Sequence, residues 1–100
     1  MNSIDTTAVS TLGGIRLIDV REEYEYVSGH APAAVNLPLS SLVERITEVP
    51  RDATVYVICE SGSRSAQAVQ WLAGQGIDAV NVLGGTSAWR SAGLPLATGN

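Results

Sequence analysis

Apolar residues in this chain fall into short blocks separated by polar stretches that carry glycine and proline, and the blocks follow two different periods. Residues 15–20, 54–59 and 79–83, with a shorter run at 34–37, are rich in β-branched side chains and bounded by turn-formers, which predicts four strands. The runs are nearly continuous rather than alternating. Strands covered on both faces have that pattern, as in a parallel sheet. Between them the spacing turns helical. Asp5 reads as an N-cap, with Ile4 and Val9 at the two positions of a hydrophobic staple and Gly13 and Gly14 at the far end. Ser41 and Glu44 have capping-box spacing, and Leu42, Ile46 and Val49 then share one face of a helix that Pro50 stops. Ala66, Val69, Leu72 and Ala73 mark a helix over 63–74, and Gly84 and Gly85 precede a short one through Trp89 that Gly93 and Pro95 terminate. Strands alternating with helices predict an α/β fold, a parallel sheet with right-handed crossovers. No repeat, linker or low-complexity stretch interrupts the 100 residues, so one domain over 1–100 is expected.

This architecture has a functional corollary. In open parallel sheets ligands collect beyond the carboxyl ends of the strands, so the positions to watch follow Val20, Leu37, Ile58 and Leu83. Cys59 occupies one of them and opens the loop Cys59, Glu60, Ser61, Gly62, Ser63, Arg64 and Ser65, which leads into a helix. Small residues let successive backbone amides turn inward, and a helix N-terminus closes the resulting anion cradle. A thiolate is such an anion, and the same donors and dipole lower the pKa of its thiol. Gly62 tolerates positive φ at little cost, while the hydroxyls of Ser61, Ser63 and Ser65 add donors. Arg64 either braces the loop by bonding backbone carbonyls or stabilises the anion directly. A lone cysteine at the end of a buried strand is ordinarily a small core hydrophobe. Here the glycine and serine loop, the arginine and the helix start predict the electropositive, accessible surroundings of a reactive thiol.

Composition narrows the classes. Ten acidic against six basic residues give a net charge of −4, which argues against nucleic acid or an anionic membrane as partner. All six basic residues are Arg, so Schiff-base chemistry on a lysine is excluded. Cys59 is the only cysteine, which rules out an internal disulfide and leaves a zinc site without its usual sulfur ligands. Neither a secretory leader nor ~18 uninterrupted apolar residues occurs, so a soluble, cytoplasmic protein in a reducing compartment is expected. With 45% hydrophobic residues the chain can close one core without metals.

Four sequence motifs in order give the chain a resemblance to the rhodanese domain, extending from about Ile4 to Pro95. Asp19, Val20, Arg21 and Glu22 look like the family's first signature, and residues 29–38 (GHAPAAVNLP) look like its second. Residues 59–65 are similar to the CxxGxRS active loop, and Leu83, Gly84, Gly85, Trp89, Gly93, Leu94 and Pro95 match the closing segment. The resemblance implies a five-stranded, mostly parallel sheet with helices on both faces. It also implies a rhodanese-type, thiosulfate-sulfurtransferase-like enzyme without cofactor or metal. In such an enzyme Cys59 takes sulfane sulfur from a small donor, holds it as a persulfide and passes it to a thiol or other nucleophile, small or protein-borne. Ring-like inward N–H donors suit such an anionic intermediate.

Two departures stand out. Ala33 replaces a frequent glycine of the second signature, and Glu60 stands where members that favour thiosulfate often have a basic residue. A carboxylate at the mouth repels a dianion, so a persulfide donor fits at least as well as thiosulfate. Two other readings stay open. One is a non-catalytic interaction or regulatory module of the same fold. The other is a phosphatase or arsenate reductase, although the related enzymes have a CxxxxxR loop one residue longer than the six from Cys59 through Arg64.

The remaining candidates have plainer readings. Asp19 and Arg21 are expected to form an ion pair or capping network that fixes adjacent loops. His30, the only histidine, is expected to hold structure through hydrogen bonds, because transfer from an ionised thiol requires no base. Trp71 and Trp89 belong to the core. Glu22, Glu23 and Glu25 read as the solvated face and first turn of a helix.

Overall fold

A computed structural model describes residues 1–100. Five strands, β1 (Ser3–Asp5), β2 (Arg16–Asp19), β3 (Ala34–Asn36), β4 (Val55–Ile58) and β5 (Ala79–Leu83), form one sheet in the order β1-β5-β4-β2-β3. Every neighbouring pair is parallel, so the sheet is wholly rather than mostly parallel. Three helices lie between strands, α1 (Thr6–Ser10), α2 (Glu23–Ser28) and α3 (Ser63–Gly74), and a fourth, α4 (Gly85–Ser91), follows β5. None is long and apolar enough to cross a membrane.

The continuous apolar strands have a simple consequence: alternate side chains enter two different cores. On one face Ile18, Val55 and Val57 pack with Ala68, Val69 and Leu72 of α3 and with Leu42 and Val49. On the other, Leu17, Ile58 and Val82 pack with Val9 of α1, Tyr26 of α2 and Trp89 of α4. Val55, Val57 and Ile58 of the central strand are 0% exposed, and each such burial contributes on the order of 2 kcal/mol. Cys59, next in the alternation, faces the α3 side. Trp89 is buried as expected, and Trp71 packs against the core while partly exposed.

Two expectations need correction. The stretch at 41–50 is not an α-helix; it consists of the 3-10 turns Leu39–Ser41 and Ile46–Glu48 joined by further turns. Apolar positions 39, 42, 46 and 49 do face the core, but Val43, Ile46 and Thr47 are β-branched and resist helix formation, and neither 3-10 turn has a side-chain cap. The capping bond predicted for Ser41 and Glu44 occurs elsewhere, where the Glu22 amide donates to the Glu25 carboxylate at 3.0 Å. Secondly, Ile4 lies in β1, opposite Val82 of β5, and not merely in a staple. A three-residue strand with one apolar side chain has no legible period. Asp5 nevertheless caps α1 as predicted, accepting from the Ala8 amide at 2.8 Å, a bond that also lowers its carboxyl pKa.

Candidate active site

Strand β4 delivers Cys59 to the carboxyl edge of the sheet, and the chain then turns through Gly62, at φ 104°, into the first turn of α3. Positive φ at Gly62 aims its amide back at the sulfur, with N–H···Sγ 3.0 Å, and the Ser65 Oγ lies 3.3 Å from Sγ. Burial pushes the Cys59 thiol pKa up. The Ser65 hydroxyl and the amides of Ser65, Gly62 and Ser61 push it down and prevail, so the net shift is downward. At the sulfur, the part of the predicted cradle made by the Gly62 amide and the Ser65 Oγ is formed. The predicted accessibility of the sulfur is not found, because Cys59 is 0% exposed and belongs to the α3-side core. Of the other loop residues, Ser65 is buried, Glu60, Gly62 and Arg64 are partly covered, and Ser61 and Ser63 face solvent.

A second loop supports the first from behind. The amide and hydroxyl of Thr86 donate to the Cys59 carbonyl at 2.8 and 3.0 Å, and the Ser87 amide donates to the Glu60 carbonyl at 2.9 Å. Such close approach requires a bare backbone: a Cβ on Gly85 would overlap the carbonyl oxygens of Cys59 and Glu60. Sequence reasoning took Gly84 and Gly85 as a helix start and as part of the closing motif, and missed this clamp.

Charges around the loop are all paired. Arg64 bonds neither a carbonyl nor the sulfur; its fork grips Glu25 at 2.7 and 2.9 Å. That bond is the chief reason the Glu25 carboxyl falls to about 2 and the Arg64 guanidinium rises. Glu25 is thus no solvated bystander, as the acidic run suggested; it is 19% exposed and locked to the cysteine loop across the α2–α3 gap. Glu22 bonds the Ser40 hydroxyl and Glu23 stays exposed. Glu60 is bound on both oxygens, by Arg21 at 3.2 Å and by Arg90 at 3.3 Å.

Arg21 itself is 1% exposed and pairs with Asp19, which is 0% exposed, at 2.8 Å. It also donates to the Gly29 carbonyl at 2.8 Å. Burial alone would lower the Arg21 pKa, yet the bonds and charge of Asp19 raise it overall. The expected network is therefore present, and it joins both upstream signatures to the cysteine loop. His30 fits the architectural reading: its Nδ1 lies 2.7 Å from the Tyr26 carbonyl, which can only accept, so that nitrogen carries the proton. The imidazole stacks on the Tyr26 ring at 3.7 Å.

Comparison with known proteins gives this arrangement of cysteine loop, glycine clamp and buried Asp–Arg pair a family. The sequence profile described as Rhodanese-like domain covers residues 5–92. The chain belongs to the rhodanese-like family. Among curated relatives, a sulfurtransferase of Allochromatium vinosum is 37% identical over 96% of this chain and 94% of its own. The crystal structure of a rhodanese-related protein from Thermoplasma volcanium superposes with a TM-score of 0.90 at 34% identity, covering 97% of this chain and 98% of that one. A rhodanese-like domain protein from Staphylococcus aureus gives the same TM-score of 0.90 at 31% identity, with 100% of both chains covered.

Proposed function

We propose that this rhodanese-family chain is a sulfurtransferase that works through Cys59, with residues 1–100 acting as one domain in the reducing cytoplasm. The Cys59 thiolate attacks the outer sulfur of a donor, forming a new S–S bond as the donor's own S–S bond breaks. The leaving group departs with the electron pair, as a thiolate from a persulfide donor or as sulfite from thiosulfate. An acceptor thiolate then takes the terminal sulfur and releases Cys59 as thiolate, so electrons balance without cofactor or metal. The observation that carries this reading is the Gly62 amide held 3.0 Å from Sγ in a loop that closes on a helix start. The name of the Allochromatium relative supports the same reaction class.

The charge pattern favours a persulfide donor. Arg21 is paired with Asp19 and Glu60, Arg64 with Glu25, and Arg90 with Glu60, which leaves no arginine at the loop free to receive a dianion. Loop amides suit the single charge of a persulfide better. Glu60→Gln removes one carboxylate while keeping its shape, and it should raise kcat/KM for thiosulfate about tenfold, with a smaller change for an alkyl persulfide. Equal effects on both donors would remove the electrostatic preference. Reaching a covered sulfur also requires local opening of the loop, and the exposed Ser61 and Ser63 mark its outer side.

The decisive experiment is intact mass after incubation with thiosulfate or an organic persulfide. One added sulfur, removed by reductant and absent in Cys59→Ala, is the expected result, and no adduct with any donor overturns the proposal. The covered sulfur favours one second reading, a binding module without catalysis. That reading gains if no adduct forms while Cys59→Ala still captures a partner protein.

A further inference from the structure

Ser65 sits between two acceptors and has one proton to give. Its Oγ is 2.5 Å from Oδ1 of Asn81 and 3.3 Å from Sγ of Cys59, with all three residues 5% exposed or less. Asn81 lies in β5, the strand beside β4, and its own orientation is fixed. Its Nδ2 donates to the Gly62 carbonyl at 3.3 Å, which turns Oδ1 toward Ser65. An amide oxygen cannot donate, so the short Ser65 bond consumes the hydroxyl proton. The Cys59 contact is then possible only with sulfur as donor, in other words with a protonated thiol. A thiolate in the same place would face the lone pairs of Ser65 until the hydroxyl proton left Asn81 and turned to sulfur.

We infer that Asn81 is a positioning residue that holds the Ser65 proton away from Cys59 in the resting protein, and that ionisation of Cys59 switches that proton from Asn81 to the sulfur. The amides of Gly62 and the helix start stabilise the anion in either case. Asn81 sets how much of the Ser65 contribution must be released before the thiolate can use it. The inference rests on the reading of Cys59 as the sulfur carrier for its relevance, but its test does not involve sulfur transfer. The charged network around the loop consists of Asp19, Arg21, Glu25, Glu60, Arg64 and Arg90, with Tyr24 near Arg64; Glu23 and Tyr26 of α2 and Tyr56 of β4 are the other titratable groups on the neighbouring helix and strand. Asn81→Leu alters none of these groups chemically.

Ionisation is read as thiolate ultraviolet absorbance against pH, with Cys59→Ala subtracted to remove tyrosine. Because Cys59 is the only cysteine, the signal has a single source. Asn81→Leu, similar in volume but unable to accept, should lower the Cys59 midpoint by about 0.5–1 unit, the scale of one net hydrogen bond. In a Ser65→Ala background the same substitution should leave the midpoint unmoved, since the coupling passes through the hydroxyl. A midpoint that stays or rises in Asn81→Leu overturns the inference. So does an equal fall without Ser65, which would mean that Asn81 acts only by bracing Gly62. If the variants do not fold, the unmodified chain decides. The Asn81 side-chain amide signals in an NMR titration should move at the Cys59 midpoint, and signals flat across it overturn the inference.

Discussion

Glu25 and Arg64 illustrate how a single side-chain pair ties the cysteine loop to the rest of the molecule. The carboxyl is held at about 2, far below its ordinary value of 4.5, because a bidentate guanidinium binds the charged form. A depressed carboxyl stabilises the fold above its unfolded pKa, and that stability is lost as pH falls through the folded value. The full shift converts to ~3 kcal/mol, but Arg64 is 34% exposed and solvent screening reduces this to about 1–2 kcal/mol. Glu25→Gln should therefore lower stability by that amount at pH 7. In urea titrations the gap from wild type should close as pH drops from about 4.5 to about 2, the window set by the two pKa values. A gap that persists in acid would place the contribution in packing. Gly85 gives a second prediction at this scale. Gly85→Ala drives a Cβ into two carbonyl oxygens of the cysteine loop at a positive φ of 56°, and should cost about 3 kcal/mol or more in chemical denaturation.

At the level of elements, the two signatures upstream of the cysteine are braces. Arg21, just past β2, reaches Asp19 at the strand end, the Gly29 carbonyl before β3 and Glu60 in the loop after β4. Asn36 closes the same edge from β3 by donating to the Asp19 and Arg21 carbonyls at 3.0 and 2.9 Å. Arg21→Ala would strand the fully buried Asp19 carboxylate, so a loss of about 3–5 kcal/mol is expected, with the loop loosened and Cys59 alkylated faster at fixed pH. Thermal melting and iodoacetamide kinetics check the two effects separately. The strands at 15–20, 54–59 and 79–83 were legible because two-sided burial demands unbroken apolar runs, and all of them are present within a residue or so of those bounds. The segment at 41–50 was not. Its apolar residues have helix-like spacing, yet the choice between α and 3-10 depends on how the turns settle on the core, which spacing does not encode.

On the scale of the whole molecule, the sheet ends at each edge in a strand of only three residues. Its β5 side is covered only by the three residues of β1, which pair with Asn81, Val82 and Leu83. Deleting residues 1–5 should expose the β5 edge and remove the cap of α1, lowering the melting temperature and promoting self-association in size-exclusion chromatography. A chain that stays monomeric and equally stable without them would make β1 dispensable. The sequence by itself determined the α/β class, the strands of the central sheet and the loop where Cys59 would stand, because periodicity and glycine punctuation are local properties of the chain. Only the tertiary structure decided that Glu25 meets Arg64, that Arg21 and Arg90 hold Glu60, that Thr86 grips the Cys59 carbonyl and that Asn81 competes for the Ser65 proton. Those partners lie 16 to 39 residues apart along the chain, and what joins them is the common carboxyl edge of parallel strands, a proximity that exists only once the crossovers have closed.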